Sequence, residues 1–223
     1  MSRAAILAKV RAGLKVEPGN DRARRAGVEV RLAGGGSPLV PARGQVGSEE
    51  RIALFKSFLA AQGTDLIEVG ERGEIPRAVA SYLEARGLAL RVRTGSDPFL
   101  AELPWTKDLA REAGAAHPDD RAGLSRAIAG VAETGTLVLV SGPHNPTTLA
   151  LLPETHIVVV VRAAIVGTYE DAIALVAAEQ GSAELPHTLN LVSGASRTGD
   201  IGGRIVMGAH GPRRLAVILV GGN

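Results

Sequence analysis

Apolar positions along this chain follow two rhythms, and the rhythm changes at glycine or proline. Ile6, Leu7, Val10 and Leu14 recur at helical spacing, so residues 2–14 are expected to form a short amphipathic helix. Ile52, Leu54, Phe55, Phe58 and Leu59 give a second helical stripe. Ser48 is expected to cap it, with Glu49 and Glu50 in its first turn. Residues 75–86 form a further expected helix, ended by Gly87, and residues 147–152 a short one, stopped by Pro153. Residues 169–179 are read as a helix with Ala172, Leu175 and Val176 facing inward, and the apolar stretch 125–132 is also expected to be helical. Predominantly apolar segments of strand length occupy residues 65–69, 88–92, 137–140, 156–161, 188–192 and 215–220 and are read as strands. The stretch 94–120 holds Pro98, Pro104, Pro118 and the only Trp, Trp105, which predicts loops and one short helix. Helices separated from strands by short glycine punctuation predict βαβ units and a mostly parallel sheet.

Gly and Pro crowd residues 31–47, which read as a linker. The expected organisation is an N-terminal helical arm plus linker over residues 1–47 and an α/β domain over 48–223. The arm is a candidate contact for a homo-oligomer. With 45% hydrophobic and only 3% aromatic residues, the core must be filled by Ala, Val, Leu and Ile, which suits a sheet packed under helices. No apolar run is long enough to span a bilayer. Lys9 and Arg11 interrupt the N-terminal segment, so no signal peptide is expected and a soluble cytoplasmic protein is.

Net charge is only +2. Arg22, Arg24 and Arg25 form a local cluster without aromatic neighbours, which fits a solvated helix face or a subunit contact better than a nucleic-acid surface. There is no cysteine, so this chain makes no disulfide and supplies no thiolate to zinc or to an iron–sulfur cluster. Redox chemistry would need a partner or a diffusible cofactor. His117, His144, His156, His187 and His210 show no metal-ligand spacing, and no metal is expected.

Polar chemistry gathers in four loops. In Gly194-Ala-Ser-Arg-Thr-Gly-Asp200 the glycines permit close backbone approach. A helix starting near Thr198 or Asp200 would make an anion site there, with Arg197 clamping a carboxylate or phosphate. The other reading is a capped helix with a surface arginine. His210, followed by Gly211 and Pro212, is either an acid or base near neutral pH or a loop-holding hydrogen bonder. In Glu133-Thr-Gly-Thr136 the carboxylate is either a base or acyl-transfer nucleophile, or the cap of a tight turn. Ser141-Gly-Pro-His144 lacks a serine-hydrolase elbow, and neither a Walker motif nor a dinucleotide fingerprint is present.

Taken in order, residues 132–139, 151–158, Ser193-Gly-Ala-Ser-Arg-Thr-Gly-Asp-Ile201 and Gly208-Ala-His-Gly-Pro-Arg-Arg-Leu215 resemble the lactate-utilisation protein C family, with its LUD domain. The likeness is specific over roughly residues 120–220. It implies a three-layer α/β/α fold like that of glucosamine-phosphate deaminase, ribose-phosphate isomerase and the CoA transferases. It also implies a part in oxidising lactate to pyruvate beside two partner proteins that carry iron–sulfur clusters; the sequence shows no cofactor motif of its own, so clusters are expected only on the partners. The family usually reads Gly-Pro-Ser-Arg-Thr-Ala-Asp-Ile-Glu, whereas this chain has Ala195, Gly199 and Gly202 where that pattern has Pro, Ala and Glu.

Three readings compete. In the first, a lactate-oxidising subunit, Arg197, Ser196 and Thr198 hold a small carboxylate, Gly194 and Gly211 shape the loops, and His210 takes the hydroxyl proton, with Asp200 as a further candidate. In the second, a free-standing enzyme of the isomerase and CoA-transferase fold group works on a sugar phosphate or acyl-CoA through Glu133. In the third, the chain is a non-catalytic scaffold or ligand sensor. Fold alone does not choose among them.

Overall fold

The computed structural model describes residues 2–15, 21–33, 39–180, 186–201 and 204–221. Contacts divide the chain into two compact units, residues 1–39 and 40–223. The first unit holds α1 (Arg3–Gly13), capped by the Ser2 hydroxyl, and α2 (Asp21–Ala33). No residue of either helix is buried within the described structure. Arg22, Arg24 and Arg25 lie on exposed α2, and the expected linker segment 31–33 is part of that helix.

The second unit runs α3 (Ser48–Ala61), β1 (Asp65–Val69), α4 (Ile75–Ala85), β2 (Arg91–Thr94), α5 (Pro98–Ala101), β3 (Ala110–Ala113), β4 (Ala122–Arg126), β5 (Ala129–Val131) and β6 (Thr136–Val140). It continues with α6 (Thr148–Leu151), β7 (Thr155–Val161), β8 (Ile165–Val166), α7 (Tyr169–Gln180), β9 (Leu189–Val192), β10 (Arg197–Ile201), β11 (Arg204–Met207) and β12 (Arg214–Val220). Gly47, not Ser48, takes the cap position of α3, with Glu49 and Glu50 in the first turn as expected.

A six-stranded sheet, β1-β12-β7-β4-β2-β3, is parallel throughout. Successive residues of its central strands feed opposite faces. Ile157, Val159, Ala216, Ile218 and Val220 pack with Ile75, Val79 and Leu83 of α4 on one face. Val158, Val160, Val217 and Leu219 pack with Ile52, Phe55 and Leu59 of α3 on the other. That second layer also takes in a four-stranded sheet, β8-β5-β6-β9, through Leu137, Leu139 and Ile165. The far face of the small sheet is covered by Ala172 and Val176 of α7. The expected layered α/β fold with a parallel sheet is therefore present.

Several expectations are not met: residues 110–113, in the stretch expected to hold loops and one short helix, form the edge strand β3, and the strand expected at 88–92 lies at 91–94. Residues 125–132 are not helical: they finish β4 and form β5. Nearly every residue there is buried, so neither face carries the polar positions that mark a strand. Residues 197–207 are not the start of a helix but an antiparallel hairpin, β10–β11, irregular between Thr198 and Ile201. Leu175 does not face inward; it is exposed, while Ala172 and Val176 are buried.

Candidate functional site

The end of the small sheet collects an unusual density of polar side chains. β5 and β8 run parallel, so the residues that follow them, Glu133 and Gly167–Tyr169, emerge side by side. Glu133 is 2% exposed. Its backbone N–H donates to the Gly167 carbonyl at 3.1 Å, and its Oε1 accepts the Tyr169 N–H at 3.3 Å. Its Oε2 is buried without a hydrogen-bond donor, the nearest charge being the exposed Arg43 guanidinium at 3.8 Å. Arg43 is placed by a close backbone approach: a Cβ on Gly167 would lie 2.1 Å from the Gly44 carbonyl oxygen. The turn at residues 42–44 thus seats directly on the strand end that carries the site.

Beside the carboxylate runs a set of hydroxyls. Thr134 donates to the Tyr169 hydroxyl at 3.0 Å, and Thr136 lies 2.8 Å from that hydroxyl and 2.6 Å from the Ser193 hydroxyl. Thr134 and Thr136 are themselves 2.7 Å apart. Gln62, at the C-terminal end of α3, donates its amide to the Thr134 carbonyl at 2.8 Å, while its Oε1 is buried without a partner. A buried carboxylate oxygen and a buried amide oxygen left open in one neighbourhood are acceptors awaiting a donor.

The second cluster is built by the loops on either side of the β10–β11 hairpin. Ser196 accepts the Gly208 N–H on its carbonyl and gives its own N–H to the Pro212 carbonyl, both at 2.8 Å. Its hydroxyl accepts the His210 N–H at 3.3 Å, and Gly211 lies over its Cβ. His210 and Gly211 line an open groove of about 540 Å³ with Arg121, Glu154 and Arg213. The residues before β4, β7 and β12 supply these charges, so the groove lies at the N-terminal ends of those strands.

Sequence-expected residues therefore fall in two places. Ser196, Gly211 and His210 are brought together. Arg197 turns away: its guanidinium donates to the Gln62 carbonyl at the end of α3. Thr198 pairs with Val206 in the hairpin, and Gly194 packs against the Gln62 side chain. Glu133 belongs to the first cluster and makes no contact with His210. The Asp200 side chain and Gly202 lie outside the described residues. A helix N-terminus at Thr198 or Asp200 is replaced by a strand, so the anion site expected from one is not formed. Tyr169, Gln62, Ser193 and Arg213 were not singled out by sequence. Ser193 and Arg213 lie inside the motifs quoted above; Gln62 and Tyr169 come from helix ends with no local signature. Among the described residues no group of three or more His, Asp or Glu is placed to hold a metal ion.

Comparison with known proteins places this architecture. The family model described as LUD domain matches residues 52–220. The chain belongs to the LUD domain family. This LUD protein is 33% identical over 192 residues to Lactate utilization protein C of Deinococcus radiodurans, covering 82% of this chain and 86% of that one. It is 38% identical over 102 residues to an uncharacterized protein of Neisseria meningitidis, covering 44% of this chain and 42% of that relative. The chain spans about half or less of the length of several curated relatives it matches. A crystal structure of a DUF162 family protein from Deinococcus radiodurans superposes with a TM-score of 0.60 at 28% identity, covering 79% of this chain and 99% of that chain. No described helix of this LUD protein is long and apolar enough to cross a membrane.

Proposed function

We propose that this LUD protein serves lactate utilisation, in the oxidation of lactate to pyruvate together with two iron–sulfur partner proteins. The observation that carries the reading is the 33% identity, over 192 residues, to a protein named Lactate utilization protein C. The His210 groove suits a small hydroxy acid. Arg213 and Arg121 on its wall pair with the carboxylate, and His210 takes the hydroxyl proton. Ser196 fixes the His210 loop through its hydroxyl, and Arg197 fixes the hairpin through the end of α3, so both are positioning residues. The oxidation releases two electrons and two protons: the hydroxyl proton goes to His210, the Cα proton leaves to solvent, and clusters held by the partner proteins would accept the electrons, since a chain without cysteine supplies no thiolate for a cluster of its own.

A second reading is favoured by one specific observation. Glu133 is a buried carboxylate with one oxygen free of hydrogen bonds, the state of a base or an acyl-accepting nucleophile. In that reading the protein acts alone on an acyl-CoA or a sugar phosphate.

The test is growth on lactate as sole carbon source by a strain deleted for this gene and complemented with variants. Rescue by wild type and by Glu133→Gln, with failure of a stably expressed His210→Gln, supports the first reading. Undiminished growth of the deletion strain, with no second copy of the gene, removes it. Isolated turnover of an acyl-CoA or sugar phosphate, lost in Glu133→Gln, establishes the second.

A further inference from the structure

The six-stranded sheet has a topological switch point that neither cluster uses. From β2 the chain goes on to β3 at one edge, whereas from its neighbour β4 it goes on the opposite way, to β7. In parallel α/β sheets, connections that diverge in this manner leave a crevice outside the carboxyl ends of the two strands, and ligands bind there. Here a cavity of about 240 Å³ occupies that position. Asp97, three residues beyond β2, and Arg126, the last residue of β4, line it with Ile128, Val140 and His144. It adjoins the end of β6 opposite to Thr136, and so is separate from the Glu133 cluster.

Its polar groups are held in place. Asp97 is 5% exposed; its Oδ1 accepts the Phe99 N–H and its Oδ2 accepts Arg126 Nε, each at 2.8 Å. This pair, with the Phe99 ring 5.3 Å below, fixes the plane of the guanidinium and leaves its two terminal nitrogens without a partner among the described residues. His144 is oriented by the opposite loop. Its Nδ1 lies 2.9 Å from the Ser96 carbonyl, which only accepts, so Nδ1 carries the proton. The Ser96 hydroxyl in turn donates to the Pro143 carbonyl at 3.0 Å. Nε2 is then the ring's free acceptor. The two loops meet because position 95 is glycine: a Cβ there would lie 1.9 Å from the His144 carbonyl oxygen.

We propose that this switch-point cavity binds a small hydroxycarboxylic acid. Arg126 presents a fork to the carboxylate. The acceptors, His144 Nε2 and the Glu179 carboxylate on the same lining, call for a hydroxyl donor on the ligand rather than a second anionic group. Ile128 and Val140 leave room for a short apolar substituent. The volume falls below that of pockets for drug-sized ligands, about 300–1,000 Å³. The choice of lactate as probe rests on the lactate reading, whereas the site rests on the cavity's own Arg126 and His144 geometry and lies apart from the His210 groove.

The test is a titration of the full chain, labelled for histidine-ring NMR, with L-lactate, D-lactate, pyruvate and inorganic phosphate. Lactate of either hand is expected to shift the His144 ring signals saturably. Pyruvate, which lacks the hydroxyl donor, should bind about tenfold or more weakly, and Arg126→Lys should weaken lactate by about tenfold while keeping a cation beside Asp97. Absence of a saturable His144 shift overturns the proposal, as does equal binding of phosphate, which would make this a general anion site. His210 signals are read in the same spectra. A shift at His210 alone would uphold the His210 groove and sink the switch-point site.

Discussion

His156 on β7 and Ser125 on the neighbouring strand β4 meet at 3.0 Å between Nε2 and Oγ, in the fully buried layer under α3. The other ring nitrogen, Nδ1, is buried without a partner. Burial therefore pushes the His156 pKa down from 6.5 to about 4, and the ring is neutral in the folded protein.

Stability should accordingly fall on acidification, and the sign follows from proton counting. Below pH 6.5 the unfolded chain takes up a proton at His156 that the folded chain refuses until about pH 4. Stabilisation is complete above that window and declines through it, by up to about 3 kcal/mol for a shift of this size. Urea denaturation at several pH values checks this. His156→Gln should flatten the decline; an unchanged decline in that variant would assign it to other groups.

Arg93 is expected to be far less replaceable than the exposed arginines. It donates to buried Asp120 through Nε at 2.8 Å and reaches Glu112 at 3.0 Å. Burial opposes ionisation of Asp120, but the Arg93 hydrogen bond, the His117 N–H and the nearby arginine charges outweigh it and hold its pKa below 3.8. Arg93→Met would strand that carboxylate and should cost about 3–5 kcal/mol. Asp120→Asn should cost less. The pair's contribution is present above the ordinary aspartate range and is lost only in stronger acid, below the His156 window.

Removing the Tyr169 hydroxyl should be felt as a stability loss. Tyr169→Phe deletes the group between Thr134 and Thr136 and should cost about 1–2 kcal/mol. Thr136→Val should cost a similar amount. The double variant should lose less than the sum, since the two hydroxyls serve one network. Additive losses in a chemical-denaturation cycle would mean that the hydroxyls act independently.

Gly167→Ala should loosen the lid over Glu133. The new methyl would meet the Gly44 carbonyl oxygen, so the backbones must part, at about 1–3 kcal/mol for overpacking. Arg43 would move with them. Faster amide exchange confined to residues 42–47 and 165–169, with the six-stranded sheet unaffected, is the expected signature.

Much of this architecture is legible because a buried parallel strand such as residues 157–161 is an unbroken apolar run, and the half-buried edge strand 65–69 keeps Leu66, Ile67 and Val69 between a helix and a glycine. Both strands are bounded to within a residue. The same uniform burial hid β5: an apolar stretch with Ala at several positions satisfies helix and strand alike until its neighbours are known. The hairpin at 197–207 was misread because Ser, Thr and Asp cap helices and also begin turns. At the site, contiguous loops could be found from the sequence alone. Tyr169 and Gln62 could not, because each reaches the cluster from the end of a helix remote in sequence, where only tertiary packing assigns it a role.

One residue at the end of α3 touches both polar clusters. Gln62 gives its side-chain amide to the Thr134 carbonyl and its backbone carbonyl to Arg197. The loop beside Glu133 and the hairpin beside His210 are thus hung from a single joint. A substitution that shifts the backbone at Gln62 would therefore loosen both supports at once, although the two clusters share no other hydrogen bond among the described residues.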